Sequence, residues 1–400
     1  MGIKDLSQIE VAGRRVLVRV DYNVPLSQGQ VVDDTRIRAS LATIKYLMEK
    51  GARIILCSHL GRPKGQRVPE LSLKPVAVKL SELLGKSVRF AEDCIGEVAE
   101  RAVEELAHGE ILLLENLRFH KGETKNEAAF AEALARLCEV YVNDAFSVSH
   151  RAHASVVGIP ERVPAAAAGF QLKREVDYLT RALEAPEKPF VAVVGGAKIS
   201  GKIEVLRNLI SKVDKLIIGG AMANTFLAAG GLSLGKSLVE DSELETAREI
   251  LLSADERGVK VYLPVDAVVA EDEEGRGVQE VSVSEVPAEA AIYDIGPETV
   301  RLFSGALSEA GTIVWNGPLG LFEKPPFAKG TVGIARAIAE SSALTLAGGG
   351  DTLSAIKKAG VIHAFSYLST GGGAFLEFLE GKELPGIAVL KMKNGADPEP

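Results

Sequence analysis

Short apolar runs alternate with amphipathic segments along the whole chain. The apolar runs are nearly continuous and rich in Val, Ile and Leu, which is typical of strands covered on both faces. The segments between them, such as DDTRIRASLATIKYLMEKGA and DSELETAREILLSADERG, have the spacing of amphipathic helices. The predicted strands are RRVLVRV, ARIILCS, SVRF, EILLLEN and VYVNDA in the first half, and PFVAVVGG, KLIIGG, VKVYLPVD, GTIVWNG and LTLAGGG in the second.

This alternation predicts an α/β fold. Strands that alternate with helices form parallel sheets with helices on both faces, and about ten such units are too many for one open sheet. We therefore predict two doubly wound, three-layer αβα domains with mainly parallel sheets. The expected domains are residues 1–170 and 186–385, joined by a helix over 171–185 that contains QLKREVDYLTRAL.

Composition places the chain among ordinary globular proteins and excludes several partners. It is 46% hydrophobic and 25% charged with a net charge of −8, so no overall basic field favours nucleic acid. We expect no membrane span, because no apolar run is long enough, and the start MGIKDLSQIE lacks the apolar core of a secretion signal. The three cysteines are scattered, which favours a reducing compartment, the cytoplasm.

Ligands of open α/β sheets bind beyond the carboxyl ends of the strands. In the first half, the residues that follow the predicted strands are cationic or polar, which favours an anionic ligand. The alternative is a set of ordinary surface arginines paired with acids. Arg36 argues for the anion, because it falls in the first turn of a helix that DDT caps, where the helix dipole opposes a cation. The residues concerned are Asp21, Asn23, Arg36, His59, Arg62, Arg118, His120, His150, Arg151 and His153.

In the second half the corresponding loops are rich in glycine. In VVGGAKISGK, Lys198 and Lys202 are four residues apart, which predicts that they share a face at a helix start, where a bound polyphosphate would relieve their repulsion. In LTLAGGGDTLS, Gly348 to Gly350 allow backbone N–H groups to approach an anion. Asp351 is either a Mg²⁺ ligand or an ordinary helix cap. IIGGAMANTF and VWNGPLGLFE could form a slot for a planar base, with Glu323 accepting from ribose hydroxyls.

One stretch matches a known phosphate-binding motif in sequence but not in its predicted structural context. GGLSLGKS, residues 230–237, fits the P-loop pattern G-x-x-x-x-G-K-[ST], but a P-loop follows a strand and opens a helix. This stretch follows AMANTFLAA, which has helical spacing, so we interpret it as a glycine-rich turn.

Two other motifs give no support for a metal site or a dinucleotide site. HRAH, residues 150–153, lacks a nearby carboxylate and does not favour zinc. The dinucleotide fingerprint G-x-G-x-x-G is absent from the sequence.

Nine stretches in chain order resemble the phosphoglycerate kinases over essentially the whole chain. Two positions depart from the family pattern. Ser147 stands where the family usually has Gly, which puts in doubt a backbone contact to substrate near Arg151, and Phe375 stands where a small polar residue is common, at a position we interpret as structural. The stretches are RVDYNVP (19–25), SHLGRP (58–63), LLLENLRF (112–119), DAFSVSHRAHAS (144–155), GGAKISGK (195–202), GGAMANTF (219–226), WNGPLGLFE (315–323), AGGGDT (347–352) and STGGGA (369–374).

The resemblance implies which ligands each half binds. The first half would bind 3-phosphoglycerate or 1,3-bisphosphoglycerate through Asp21, Asn23, Arg36, His59, Arg62, Arg118 and Arg151. The second half would bind ADP or ATP through Lys198, Lys202, Gly219, Glu323, Gly349, Gly350, Asp351 and Thr352, with Mg²⁺ held by Asp351. Arg36, Lys198, Gly349 and Gly350 would surround the transferring phosphoryl group. The resemblance also implies a monomer whose segment 386–400 packs back on the first domain.

The implied reaction is the reversible glycolytic and gluconeogenic transfer between 1,3-bisphosphoglycerate and ADP, giving 3-phosphoglycerate and ATP. The acceptor carboxylate has a pKa near ~4, so it needs no general base at pH 7. What remains is positioning and charge stabilisation for in-line transfer, and we expect domain closure to bring the substrates together.

Two alternatives stay open at this point. One is a two-domain kinase that acts on a different carboxylate or a sugar phosphate. The other is a catalytically inactive binding protein, which would be expected to have lost Arg36, Lys198 or Asp351, all of which are present.

Overall fold

The computed structural model of the chain describes residues 3–395. The chain divides into two compact units. The first contains the described residues up to Val176 and the segment that begins at Glu383, and the second is Asp177–Lys382. The division falls within a continuous helix, Phe170–Glu184.

The first unit is built on a six-stranded parallel sheet. Its strand order is β5-β6-β4-β1-β7-β8, and each neighbouring pair is parallel. A separate two-stranded hairpin, β2 and β3, precedes the first helix. The strands are β1 Arg15–Arg19, β2 Leu26–Ser27, β3 Gln30–Val31, β4 Arg53–Cys57, β5 Val88–Ala91, β6 Ile111–Leu114, β7 Val140–Asn143 and β8 Ala165–Ala168.

Helices connect these strands and bury their apolar faces against the sheet. In α3, Pro75 stands in the first turn, where its missing N–H costs nothing, and Gly85 ends the helix at a φ of +62°. The helices are α1 Thr35–Ala39, α2 Leu41–Glu49, α3 Lys74–Leu84, α4 Gly96–Glu104, α5 Lys121–Lys125, α6 Ala128–Ala135, α7 Ile159–Arg162 and α8 Phe170–Glu184. Shorter 3-10 turns lie at Leu6–Gln8, Pro69–Leu71, Leu117–Phe119 and Phe146–Val148, and a π-helical turn at Ala154–Gly158.

The second unit carries another six-stranded parallel sheet, of order β11-β10-β9-β15-β16-β17. It also has a three-stranded antiparallel sheet, β13-β12-β14. The strands are β9 Phe190–Val194, β10 Lys215–Ile218, β11 Lys260–Tyr262, β12 Asp266–Ala270, β13 Gln279–Ser282, β14 Ala291–Ile295, β15 Thr312–Asn316, β16 Leu344–Gly348 and β17 Tyr367–Ser369. Its helices are α9 Ile203–Ile210, α10 Met222–Ala229, α11 Leu244–Glu256, α12 Pro297–Leu307, α13 Lys329–Glu340, α14 Gly350–Ala359 and α15 Gly373–Leu379, with 3-10 turns at Asp241–Glu243, Pro325–Phe327 and Ile362–Ala364.

These sheets confirm the predicted α/β fold with two mainly parallel sheets. The central strands are buried along nearly their whole length, as in the Phe190–Val194 strand, because helices cover both faces. In each unit the strand order reverses beside the first strand, so that successive connections run in opposite directions from β1 and from β9. Loops diverge at such a reversal and leave a crevice at the carboxyl ends of the strands, where ligands bind.

The last described helix, α16, spans Pro385–Gly395 and belongs to the first unit. It packs against β8, α7 and the π-helical turn. Its first turn is anchored by a hydrogen bond of 2.8 Å from Gly386 N to Ser149 O. Residues 396–400, which the expected C-terminal packing also covers, lie outside the described residues.

Two parts of the fold were missed at the level of sequence. The strand β8 is Ala165–Ala168, and alanine runs favour helix over strand. The antiparallel sheet of the second unit was not predicted as a separate layer, because its strands are short and one of them, β13, is mostly exposed. Every helix within residues 3–395 is too short or too polar to cross a bilayer.

Candidate functional site

The carboxyl ends of β1, β4, β6 and β7 bring a group of cations together in the first unit. We call this group the cationic cluster. Except for His59, each member lowers the pKa of at least one other member, which requires them to be close. The cationic cluster consists of Arg19, Arg36, His59, Arg62, Arg118, Arg151 and His153.

Arg36 lies in the first turn of α1, as predicted, and is tied to the loop after β1. Its Nη1 lies 3.1 Å from Asp21 Oδ2 and donates to Asn23 O at 2.8 Å. Asn23 Oδ1 accepts from Gly61 N at 2.9 Å, which joins this loop to the loop after β4. The neighbouring Arg38 is exposed and forms an i,i+4 ion pair with Asp34, as its position on the helix predicts.

Ser147 competes for the same carboxylate that holds Arg36. Its Oγ donates to Asp21 Oδ2 at 2.5 Å. The serine side chain therefore adds a direct contact to a predicted ligand residue, which glycine at this position would lack. The presence of Ser147 in place of the family's usual Gly therefore affects this site through Asp21.

Arg118 is the cation of the cluster with an unpaired donor among the described residues. Its Nη1 donates to Gly61 O at 2.8 Å, but its buried Nε has no hydrogen-bond partner in the described part of the chain. Burial, followed by the nearby charge of Arg19, lowers the pKa of Arg118 to about 10, although Glu123 acts in the opposite direction. A buried guanidinium with an open donor is matched to an incoming oxyanion.

His59 is a neutral member of the cluster. Burial and then the charges of Arg19, Arg118 and Arg36 lower the pKa of His59 well below its usual range. Arg19 Nη2 lies 3.0 Å from His59 Nδ1, and because arginine can only donate, Nδ1 accepts. The ring proton is then on Nε2, where it can donate to a ligand. Burial lowers the pKa of His153 to about 4 in the same way.

Arg62 and Arg151 are exposed at the rim of the cationic cluster. Arg62 follows Gly61, whose φ of +62° turns the chain there. Both arginines lower the pKa of Arg118, so they lie close to it. The structure therefore brings all seven predicted residues of the first half into one region: Asp21, Asn23, Arg36, His59, Arg62, Arg118 and Arg151.

A buried charge network beneath the cluster was missed at the level of sequence. Arg19 Nε donates to Ser155 Oγ at 2.9 Å, and Ser155 donates through Oγ to Glu123 Oε1 at 2.6 Å and through N to Oε2 at 3.0 Å. Arg19 and Glu123 are both fully buried. Arg19 could have been found as the one charge within the apolar strand VLVRV, whereas no local pattern distinguishes Glu123.

In the second unit, the loops after β9, β15 and β16 are tied together. Lys202 Nζ donates to Asn316 Oδ1, and Asn316 Nδ2 donates to Gly348 O at 2.7 Å. Gly317 N donates to Thr352 Oγ1 at 2.8 Å. Burial lowers the pKa of Lys202 to about 8, opposed by the carboxylates of Glu380 and Asp351.

The predicted helical arrangement of Lys198 and Lys202 is wrong. Helix α9 begins only at Ile203, with Lys202 as its cap, so residues 195–202 form a loop. The glycines explain the difference, since a Cβ on Gly195 would meet the backbone of Pro318 and Gly317. This loop packs directly on the β15 loop, where Gly196 N donates to Pro318 O at 2.9 Å. Lys198 is exposed at the loop, and Lys202 is partly buried.

Strand β16 opens through glycine into α14, as predicted for AGGGDT. Gly349 has a φ of +103°, which side chains rarely adopt, and Gly350 is the first residue of the helix. Asp351 is exposed in the first turn, and Thr352 is buried beside Gly317. The α14 N-terminus therefore points its free N–H groups at the same edge of the sheet as Lys202.

A cavity of about 570 Å³ adjoins these loops. Glu323 and Asp351 line it, whereas Gly219 lies behind the wall, packed on Leu319, and its neighbour Gly220 faces the cavity. The remaining lining is largely apolar, which suits a planar base. It includes Gly196, Ala197, Ala221, Leu227, Leu238, Pro264, Ile292, Pro318, Leu319 and Leu321.

Asp294 supports this wall and was not predicted from the sequence. It is buried, lines the cavity and accepts from Gly330 N at 2.7 Å through Oδ2. Burial raises the pKa of Asp294 to about 8. A Cβ on Gly320 or Gly330 would collide with its carboxyl group, so both glycines allow the loop and helix to close around it.

The P-loop-like stretch is a turn, as its place after a helix predicts. Helix α10 ends at Ala229, capped by Gly230, and no helix follows Ser237 directly. Lys236 nevertheless lines the cavity, which the sequence did not indicate. Its Nζ forms an exposed ion pair of 2.5 Å with Glu289.

Comparison with known proteins places this geometry in a family. A sequence model described as phosphoglycerate kinase matches residues 6–382. A phosphoglycerate kinase of Desulfosudis oleivorans is 53% identical over 396 residues, covering 98% of this chain and 100% of the relative. One of Moorella thermoacetica is 54% identical over 389 residues, covering 97% of this chain and 99% of the relative.

Solved structures agree over the full length. The structure of phosphoglycerate kinase from Coxiella burnetii has a TM-score of 0.91 and 44% identity, covering 98% of this chain and 99% of that one. The crystal structure of phosphoglycerate kinase from Pyrococcus horikoshii OT3 has a TM-score of 0.85 and 34% identity, covering 98% and 100%. On sequence and structure together, this chain belongs to the phosphoglycerate kinase family.

Proposed function

We propose that the cationic cluster binds the carboxylate and phosphate of 3-phosphoglycerate, and that the cavity and glycine loops of the second unit bind ADP or ATP. The chain is a kinase with a carboxyl acceptor, and the reaction of its family is the reversible glycolytic transfer between 1,3-bisphosphoglycerate and ADP. The observation that carries the assignment of the first site is the half-buried, incompletely paired guanidinium of Arg118 among cations that lower its pKa. Such a cluster is stabilised by a multiply charged anion.

Each predicted residue then has a distinct task. Arg62, Arg118 and Arg151 would pair with the phosphate or carboxylate oxygens of the substrate, and His59 would donate from Nε2. Asp21 and Asn23 would accept from the substrate hydroxyl, while they also hold Arg36 in place. These contacts orient the acceptor carboxylate, which is already ionised and needs no base.

In the second unit, Lys202 and Lys198 would contact the nucleotide phosphates, with the backbone of Gly349 to Thr352 at the α14 N-terminus. Glu323 would accept from the ribose hydroxyls at the cavity, with Gly219 behind the wall that receives the base. The partial burial of Lys202 supports this role, because a bound phosphate restores the stability of its charged form.

The donor set also fits Mg²⁺ with the nucleotide. The Asp351 carboxylate is exposed at the cavity lining and close enough to raise the pKa of Lys202. One carboxylate beside phosphate oxygens is the arrangement that this hard cation prefers. When bound, the ion would neutralise phosphate charge. Arg36, Lys198 and the N–H groups of Gly349 and Gly350 would stabilise the charge that develops on the transferring phosphoryl group.

Replacing Lys202 with alanine should raise the KM for ATP by roughly 10- to 150-fold, the loss of one charged hydrogen bond of about 1.5–3 kcal/mol. Lys236→Ala is the comparison: Lys236 also lines the cavity, but its exposed Nζ is paired with Glu289, so the loss of ATP binding should be smaller than in Lys202→Ala. A coupled assay with 3-phosphoglycerate and MgATP measures both. An equal loss in the two variants would contradict the proposed phosphate site and favour the P-loop-like stretch. The same assay with other carboxylic acids in place of 3-phosphoglycerate shows which acceptor the enzyme prefers.

Because the two substrates bind to different units, we propose that domain closure precedes in-line transfer. Closure would also exclude water from the acyl phosphate. Small-angle scattering should give a smaller radius of gyration with 3-phosphoglycerate and a non-hydrolysable MgATP analogue together than with either ligand alone. An unchanged radius with both bound would count against closure.

The molecular mass from the same scattering measurement tests the proposed monomer. The buried, unpaired thiols fit the proposed cytoplasmic setting.

A further inference from the structure

Outside both proposed substrate sites, three side chains with metal-binding atoms meet in the first unit. Asp93 and Cys94 lie in the loop between β5 and α4, and His120 caps the start of α5. One ligand atom from each lies within 4.8 Å of the others. His120 Nε2 is 2.7 Å from Asp93 Oδ1. His120 is distant in sequence from Asp93 and Cys94 and is brought to them by the fold.

We propose that the adjacent residues Asp93 and Cys94, together with His120 from a later loop, form a zinc-binding site. A thiolate, an imidazole and a carboxylate are the ligands that Zn²⁺ prefers, whereas Mg²⁺ and Ca²⁺ take oxygen alone. With Zn–S near ~2.3 Å and Zn–N or Zn–O near ~2.1 Å, neighbouring ligand atoms of a tetrahedral ion are roughly 3.4–3.6 Å apart. The present separations, from 2.7 Å to at most 4.8 Å, bracket that value. Three protein ligands leave the fourth position to water.

The surroundings hold two of these ligands in place. The His120 ring packs on Phe130 with centroids 5.3 Å apart, and Asp93 Oδ1 accepts from Cys94 N at 2.7 Å. Cys94 is fully buried, while the Asp93 and His120 side chains are 33% and 30% exposed, which gives an ion a path from solvent. Coordination would displace the thiol proton and replace the His120–Asp93 hydrogen bond.

The site is joined to the substrate region through one short segment. His120 stands two residues after Arg118 and three before Glu123, which holds Ser155 at the base of the cationic cluster. An ion at the triad would fix this segment at the start of α5. It would therefore stabilise the folded protein without entering the transfer reaction.

Co²⁺ is the probe for the site, because a tetrahedral cobalt thiolate absorbs in the near ultraviolet and the visible. The full chain, stripped with a chelator, should bind one equivalent with both bands, and Zn²⁺ should bleach them. Cys94→Ser should lose the near-ultraviolet band, while Cys57→Ser and Cys138→Ser, which alter two other buried thiols, should keep it. Absence of the band in the parent protein, or its persistence in Cys94→Ser, would overturn the proposal.

A second variant avoids dependence on a buried cysteine. His120→Ala should weaken Zn²⁺ binding by more than about 10- to 100-fold, the cost of altering an outer partner alone. Zinc should raise the Tm of the parent protein and leave that of His120→Ala unchanged. The circular dichroism spectrum of each variant verifies that it is folded. Equal zinc affinity in His120→Ala and the parent would also refute the site.

Discussion

Replacement of Arg36 by alanine is expected to lower kcat by about 10²–10³-fold, the usual effect of losing one donor to a developing charge, with little change in the KM for ATP. Arg36 stands at the N-terminal turn of α1, where the helix dipole opposes it, and the Asp21 carboxylate holds it at 3.1 Å. This arrangement fixes the guanidinium in one direction before substrate arrives. The entropic cost of orienting this side chain is therefore met on folding and does not add to the activation free energy of the transfer.

The matched control for Arg36 is Arg38, which lies on the same helix. Its side chain is exposed and its ion pair with Asp34 is of the i,i+4 surface type. Arg38→Ala should change kcat less than about two-fold, because its exposed side chain pairs with Asp34 at the surface and, among the described residues, has no contact with the cationic cluster. Steady-state kinetics with both substrates varied separates kcat from the two KM values. Near-normal turnover in Arg36→Ala would remove Arg36 from the proposed machinery.

Glu123→Ala should lower the free energy of unfolding by about 3–5 kcal/mol, the cost of removing one partner from a buried charge network. Glu123 is fully buried and accepts two hydrogen bonds from Ser155, which in turn accepts from Arg19. Without the carboxylate, the buried guanidinium of Arg19 would be left near Arg118 and His59 with no opposing charge beneath it. Urea unfolding followed by far-ultraviolet circular dichroism measures the loss.

Two comparisons make the Glu123 result specific. Glu132→Ala alters an exposed carboxylate on the adjacent helix α6, so it should change stability by less than about 1 kcal/mol. Sulfate should restore more stability to Glu123→Ala than to the parent protein, because an anion in the cationic cluster replaces part of the missing negative charge. Equal sulfate effects in both proteins would show that Glu123 acts by packing alone.

The strands and helices that position both sites were predictable, because they depend on local periodicity. Nearly continuous apolar runs became the buried strands, and DSELETAREILLSADERG became the amphipathic helix α11 that ends near Gly258. Loops at strand ends could also be identified, since parallel strands of one sheet end at a common edge. For that reason all seven predicted residues of the first half lie in one region.

The misses have physical causes that local patterns do not contain. Strand β8 is made of alanines, and it forms because β7 pairs with it and α16 packs on it. Lys198 and Lys202 were predicted on one helical face, but α9 begins only at Ile203, and Gly196 in the preceding loop has a φ of +124°, outside the helical range. The interpretation of GGLSLGKS as a turn did not indicate that its Lys236 lines the cavity, to which the turn after α10 carries it.

The sequence by itself determined the α/β class, the order of the elements, and which loops carry cations and which carry glycine, because these follow from residue type and short-range spacing. Only the tertiary structure decided how far each charge is removed from water and what opposes it. Arg19, Glu123 and Asp294 acquire their roles through partners 30 or more residues away. Desolvation and pairing depend on the whole packed chain, so no local pattern could have revealed them.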